Sequence, residues 1–316
     1  MTERLPIAVA EDVQVALGAD RPVVALESTI ISHGLPRPLN LEVAGELEQL
    51  LRNAGVVPAT VGVVAGRPTV GLAADDLDVL ARGDGVAKAS VRDLPVAMAK
   101  GRHAATTVAA TAFLAEQVGI RVFATGGLGG VHRGAGATFD ESADLFALAR
   151  TPITVVCAGV KSVLDVGATL ERLETLGVTI VGYRTTAMPG FYVADSGFEL
   201  AWAVSGAEEV VEIMNSSDDL SLKSAFVVAN PVPPDHELDP GLHERLLAAA
   251  IVAAEDAGVR GNEVTPFLLD HIERASGGAS LQANLAAVRN NVQVAAGIAR
   301  LWAASRGRAC PSPNRG

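Results

Sequence analysis

Short apolar, Val-rich runs alternate with longer amphipathic stretches along nearly the whole chain, and this alternation narrows the possible folds more than any other feature. Arg21–Leu26 reads as a buried strand and Leu41–Asn53 as a helix stopped by Gly55. Val56–Leu72 reads as a hairpin turning at Gly66-Arg67-Pro68. Ala74–Arg82, Leu94–Lys100 and Thr107–Val118 carry helical spacing, and Arg121–Ala124 is a strand that runs directly into the glycines 126–130. The pattern then gives a helix over Ser142–Ala149, a strand over Thr154–Ala158, a helix over Lys161–Leu176 and a strand over Val178–Gly182. Glu208–Asn215 is helical and Ala225–Ala229 is a strand. Leu242–Ala257, Pro266–Ala275 and Leu281–Ala304 complete a helical C-terminal part. Strand–helix repetition of this kind predicts an α/β fold with a largely parallel sheet. Neither an internal repeat nor a Ser/Pro-rich linker divides it, so residues 1–304 are expected to form one domain, followed by a frayed tail over 305–316.

Charge and cysteine content restrict what such a domain does. With 25 basic and 36 acidic residues the net charge is −11, which argues against nucleic acid or an anionic membrane surface as the main partner. An anionic small substrate would then need local cations or a metal. Hydrophobic residues make up 49%, enough to bury a substantial core, yet no uninterrupted apolar run is long enough to predict a membrane span. Two cysteines make no disulfide framework, and Thr2, Glu3 and Arg4 precede no apolar signal segment. The expectation is a cytoplasmic protein.

Open parallel sheets bind ligands where strands end, and several polar residues stand at such exits. Glu27 closes the predicted strand Arg21–Leu26; it is either a cap or an acid/base group, and burial would raise its pKa and suit it to proton donation. The run Gly126–Gly130 lets backbone approach an anion, but it lacks the Lys-Ser/Thr ending of a P-loop and the spacing of a dinucleotide fingerprint, so taken alone it reads first as a turn without a ligand, and His132 beside it is either a structural residue, the commoner case, or a substrate contact. Asp140, Ser142, Ala143 and Asp144 read first as ordinary helix-start chemistry. The alternative is a magnesium- or manganese-type oxygen site, with Asp140 and Asp144 sharing a face. Lys161 follows the strand Thr154–Ala158 just where a helix is predicted to open. Apolar neighbours and the positive helix pole would depress its pKa and free a nucleophilic amine. Lys88, near Ser90, Arg92 and Asp93, is either a phosphate ligand or solvated surface. Asn284, Asn290 and Asn291 interrupt an Ala/Val/Leu helix, and either bond across the core or point into a pocket. Gly-x-Ser-x-Gly, His-Glu-x-x-His and Cys-x-x-Cys are absent, so serine-hydrolase, zincin and thioredoxin chemistry lack support.

Taken together, the segments Val24–Pro36, Pro58–Gly62, Arg92–Pro95, Ala105–Thr111, Val122–Gly134, Thr138–Asp140, Ser142–Asp144 and Val155–Ser162 resemble the pseudouridine-5′-phosphate glycosidase family, which includes the indigoidine-synthase-A-like proteins. The resemblance covers roughly Pro22 to Ala304. It implies a three-layer α/β/α fold, a homotrimer, a manganese ion (magnesium being the alternative), and reversible splitting of pseudouridine 5′-phosphate into uracil and ribose 5-phosphate. By motif match it implies Lys161 as nucleophile, Glu27 as proton donor and Asp140 as metal ligand. Lys88, Val108 and Ser142-Ala143-Asp144 would contact substrate, and His132 and Asn284 would be further site residues. The pair Arg102-His103 departs from the smaller residues expected there. Two alternatives to this activity are a Schiff-base lyase for another phosphosugar and a non-catalytic phosphosugar-binding protein.

Overall fold

The computed structural model describes residues 6–308. Its strands are β1 (Ala8–Val9), β2 (Val23–Leu26), β3 (Val57–Val64), β4 (Arg67–Val70), β5 (Ala87–Ala89), β6 (Ala104–Thr106), β7 (Val122–Ala124), β8 (Thr154–Cys157), β9 (Thr179–Tyr183), β10 (Ala203–Val204) and β11 (Phe226–Ala229). They form one mixed, mostly parallel sheet in the order β1-β4-β3-β2-β7-β8-β11-β9-β10, with β6 pairing β3 and β5 pairing β6. The antiparallel pairs are β3–β4 and β3–β6.

The central strands are apolar throughout because both faces are covered. Successive residues alternate between two cores: Ala25, Phe123, Val155 and Val227 pack into one, and Val24, Leu26, Val156 and Val228 into the other. Helices Glu11–Gly18, Val108–Gln117, Ala143–Leu148 and Val166–Thr175 supply the first face. Helices Leu39–Asn53, Ala207–Asp219 and Ala279–Arg308 supply the second. The result is the expected α/β/α sandwich. A third cluster caps one end of the sheet: helices Pro240–Asp256 and Val264–Ala275 pack Leu246, Ala250, Leu268 and Ile272 against Ala158, Val160, Val163 and Leu164.

The hairpin forms as predicted but turns one residue earlier. Ala65 and Gly66 carry φ of 48° and 77°, the doubly left-handed turn that suits strand twist, and Arg67 and Pro68 are already in β4. Pro58 is tolerated inside β3 because only β2 flanks it there; β4 and β6 pair further along, from Val61 onward. Two boundaries need correction. The last helix continues through Arg308, so residues 305–308 are not frayed, and residues 309–316 lie outside the described part. The helix expected from Lys161 starts only at Val166, where the Asp165 carboxylate caps it by accepting from the Ala168 N–H at 3.0 Å.

Candidate active site

Three adjacent parallel strands end on the same edge of the sheet: β2 at Leu26, β7 at Ala124 and β8 at Cys157. The next residues carry the site. Glu27 leaves β2, Thr125 leaves β7, and four residues beyond β8 comes Lys161. The Thr125 hydroxyl donates a hydrogen bond to Glu27 Oε1. Glu27 keeps some solvent access, but its carboxyl lies deep among protein atoms, and that desolvation raises its pKa above the ordinary carboxylate value. Lys161 and the Thr125 bond pull the other way, Asp144 adds to the rise, and Lys88 opposes it; burial dominates.

Lys88 reaches the same place from β5, whose register sets it beside Ala105 of β6. Lys88 is exposed by surface area, as the solvated-surface alternative expected, yet its amine stands close enough to other protein atoms that its pKa is lowered, first by desolvation and then by the like charge of Lys161, while Asp144, Glu27 and Glu263 partly offset the fall. Two lysines, Glu27 and Asp144 therefore feel one another's charges. The helix-pole argument for Lys161 does not survive the structure. Lys161 lies in a turn before the helix, with its N–H donating to Leu128 O at 3.1 Å and its carbonyl accepting from Leu164 N at 2.9 Å.

The glycine run serves packing more than ligand binding. At Gly129 a Cβ would fall 2.7 Å from Asp144 Oδ2, and at Gly127 it would fall 2.6 Å from the Phe191 ring. Neither residue has a positive φ, so the requirement there is steric. The Gly129 N–H donates to Asp144 Oδ2, and the Ala109 N–H donates to Asp144 Oδ1, both at 2.9 Å. Asp144 thus joins the glycine segment to the first turn of the helix that begins at Val108. Ser142 is the N-cap of the Ala143–Leu148 helix, its Oγ accepting from the Asp144 N–H at 3.2 Å. Asp140 precedes that helix, so it shares no helical face with Asp144. It faces His132 instead, with Oδ2 3.7 Å from Nδ1, and its carbonyl accepts from His132 N at 3.0 Å.

Asn284 lies along the glycine loop: its Oδ1 would sit 3.3 Å from a Cβ at Gly126, and it is buried without a hydrogen-bond partner. Thr107 Oγ1, beside Val108, is buried and unpartnered too. Unsatisfied buried oxygens of this kind mark places where a ligand or water completes the bonding. Asn291 takes the core-bonding course. Its amide donates to Thr125 O at 2.8 Å, and its Oδ1 accepts from Asn230 Nδ2 at 2.9 Å, which fixes the exit of β7 from below.

Sequence reasoning missed Thr125, Thr107 and Glu263. Thr125 is recoverable from the rule that strand-exit residues matter; Glu263 is not, because only the cap packing brings it to Lys88. Residues 102–103 shape the hairpin end and not the centre: Arg102 O accepts from Gly66 N at 2.9 Å, and His103 Nδ1 accepts from Ala65 N at 3.3 Å.

Among the described residues, no three His, Cys, Asp or Glu side chains converge as a metal cage. Asp140 would supply one carboxylate of the kind a magnesium- or manganese-type ion takes along with water and substrate oxygens, whereas the His132 imidazole beside it is a ligand type of softer metals. No helix among the described residues is long and apolar enough to cross a membrane.

Residues 12–301 match the family model described as Indigoidine synthase A like protein. A pseudouridine-5′-phosphate glycosidase of Saccharopolyspora erythraea is 59% identical, over 95% of this chain and 98% of its own. One of Frankia alni is 60% identical, over 96% of this chain and 84% of its own. Two solved structures superpose closely. An indigoidine synthase A-like protein of Thermotoga maritima has a TM-score of 0.86 and 35% identity, with 96% of this chain and 99% of that one covered. The prealnumycin C-glycosynthase in complex with ribulose 5-phosphate has a TM-score of 0.89 and 34% identity at the same coverage.

Proposed function

The chain belongs to the indigoidine synthase A-like family, and on that premise we infer that it is a pseudouridine-5′-phosphate glycosidase, cleaving the C-glycosidic bond of pseudouridine 5′-phosphate to give uracil and ribose 5-phosphate. The observation that carries the reading is a desolvated carboxyl, Glu27, at the end of β2, within the field of Lys161 beyond the end of β8 and of Lys88 in β5. The C-glycosynthase neighbour handles the same type of bond, in keeping with a reversible reaction.

The chemistry explains why a lysine and an acid are wanted. In an O-glycoside the leaving oxygen has a lone pair to protonate. Here the leaving atom is C5 of uracil, and it has none. In our reading the Lys161 amine forms a bond to C1′ while the ring C1′–O4′ bond breaks, and O4′ leaves as a hydroxyl with a proton from Glu27. The ammonium formed on Lys161 returns a proton to the Glu27 carboxylate, and Glu27 delivers it to uracil C5. The nitrogen lone pair forms a C1′ iminium, and the C1′–C5 bond electrons restore the uracil double bond. Water hydrolyses the imine, freeing ribose 5-phosphate and the amine. The raised pKa of Glu27 keeps its proton available to higher pH than an exposed carboxyl would.

By the same family resemblance, Lys88, Val108, Ser142, Ala143, Asp144, His132 and Asn284 line the substrate, and Lys88 supplies the positive charge for its phosphate. A manganese ion held by Asp140 would add charge to orient water and phosphate. A homotrimer is part of the proposal, supported by exposed apolar side chains at Phe139, Phe146 and Val96. So is a cytoplasmic location, which the low cysteine content favours. The test is incubation with pseudouridine 5′-phosphate, with and without manganese, following free uracil by chromatography. Uracil release supports the reading; release from another phosphosugar conjugate alone, or binding without product, overturns it. Borohydride trapping with ribose 5-phosphate should place the sugar mass on Lys161.

A further inference from the structure

The turn that carries Lys161 is held from two sides. On the sheet side the restraints are backbone rungs: Lys161 N to Leu128 O at 3.1 Å and Asp165 N to Val131 O at 2.9 Å. On the other side a side-chain hydrogen bond reaches it from the helical cap. Ser162 Oγ lies 2.8 Å from His243 Nε2, both residues are buried, and they stand 81 positions apart in the chain. His243 occupies the first turn of the Pro240–Asp256 helix. Its N–H donates to Asp239 O at 2.8 Å, and its ring lies against Tyr192, centroids 6.1 Å apart. The Ser162 carbonyl in turn accepts from the Arg133 guanidinium at 3.2 Å. Burial lowers the His243 pKa, which leaves a neutral ring whose Nε2 either donates to or accepts from the serine hydroxyl.

We propose that His243 is a positioning residue for the reaction: through Ser162 it clamps the turn bearing Lys161 between the sheet and the helical cap, and so fixes where the amine meets the sugar carbon. The proposal rests on Lys161 being the nucleophile. A covalent bond-forming step needs the attacking atom within a narrow range of distance and angle, and small displacements are costly. Backbone rungs on one side alone leave the turn free to rock about that edge. A buried bond to a helix on the opposite side removes that motion without touching the substrate.

The experiment compares His243→Leu, His243→Gln and Ser162→Ala with the unmodified protein. The readouts are single-turnover borohydride trapping of ribose 5-phosphate, and kcat and KM for pseudouridine 5′-phosphate. His243→Leu should slow trapping and kcat about 10- to 100-fold with KM little changed. His243→Gln, whose amide reaches about the place of Nε2, should restore most of the rate. Wild-type trapping and kcat in a folded His243→Leu protein overturn the proposal, as does a His243→Gln protein that folds normally but remains as slow as His243→Leu. If His243→Leu does not fold, Ser162→Ala decides, since it removes only the hydroxyl: slowed trapping supports the clamp and an unchanged rate overturns it. Lys161→Ala is the control that separates the two readings. Absence of any adduct on unmodified Lys161 strikes the imine itself, and the clamp with it. A normal adduct that the variants leave unaltered strikes the clamp alone.

Discussion

The two ends of the central strands make an instructive contrast. At the ends where β2, β7 and β8 begin, the half-buried Arg121 is matched by a carboxylate. The Arg121 guanidinium donates to both Asp218 oxygens at 3.0 and 2.7 Å and stacks over the Trp302 ring at 5.0 Å. A cleft of about 320 Å³ opens there, lined by Arg21, Arg121, Trp302 and Arg306. At the opposite ends the charges are mismatched: Lys88 is disfavoured by Lys161, and Glu27 is desolvated beyond what its partners recover. The difference teaches that cations around a cleft do not make a reactive site. Matched pairs hold a structure, whereas groups held out of balance carry chemistry.

The contrast breaks most sharply at Lys161. Lys161→Ala should lower turnover by about 10⁵-fold or more, as removal of a covalent nucleophile does, with the thermal midpoint scarcely changed. Turnover within tenfold of the unmodified enzyme would return Lys161 to the class of matched, structural charges. Next comes Glu27→Gln, expected to cost about 10²- to 10⁴-fold in kcat and, unlike most active-site losses, to alter stability in a pH-dependent way. With its folded pKa raised, Glu27 binds a proton in the native state between its ordinary value and the folded one, while the unfolded chain has released it. Stability of the unmodified protein should therefore fall as pH rises through that window. The Gln variant should lack this part of the fall, which thermal melts from acid to neutral pH would record.

Gly129→Ala is the intermediate case. An added methyl would meet Ser142 Oγ first and lie 2.7 Å from both Ser142 Cβ and Asp144 Oδ2, so it must push the glycine segment away from the helix start and from the carboxylate that its N–H holds. Overpacking of this kind costs about 1–3 kcal/mol, visible as a lower denaturation midpoint together with reduced turnover. The smallest effect should come from the balanced end. Arg121→Met should cost about 1 kcal/mol, the loss expected of a partly exposed ion pair, and leave kcat unchanged. A large catalytic loss there would mean that the two ends are coupled.

Much of this was legible because α/β architecture ties sequence pattern to position. The apolar strands 154–157 and 226–229 announce themselves, and in a parallel sheet the residue after a strand is already placed at the binding edge. The place of Glu27 follows from that rule directly, whereas Lys161 comes four residues beyond its strand, on a turn whose path the pattern misreads as helix. What escaped depends on contacts distant in the chain. Helical spacing continues upstream of Val166, but the bridge between Val131 and Asp165 holds the chain out of helix, and local pattern carries no trace of that pairing. The short strands 87–89 and 104–106 offer only three residues each, and they exist because 104–106 pairs β3 and 87–89 pairs 104–106. The glycine run reads from sequence as a turn without a ligand, but local sequence does not reveal that Phe191 and Asp144 are what fill the space beside it.

Asp144 has one more implication. Its two oxygens each accept a main-chain N–H, one from Ala109 and one from Gly129, so a single anion sets the spacing between two segments that share no backbone bond at that point. An asparagine in its place would present an amide hydrogen to one of those donors, head to head. Swapping one oxygen for nitrogen, with no change in size, would thus unlatch one segment while keeping the other, and would at the same time remove the negative charge that Glu27 and Lys88 feel, so the shape of the loop and the protonation of the reacting groups are tied to one side chain.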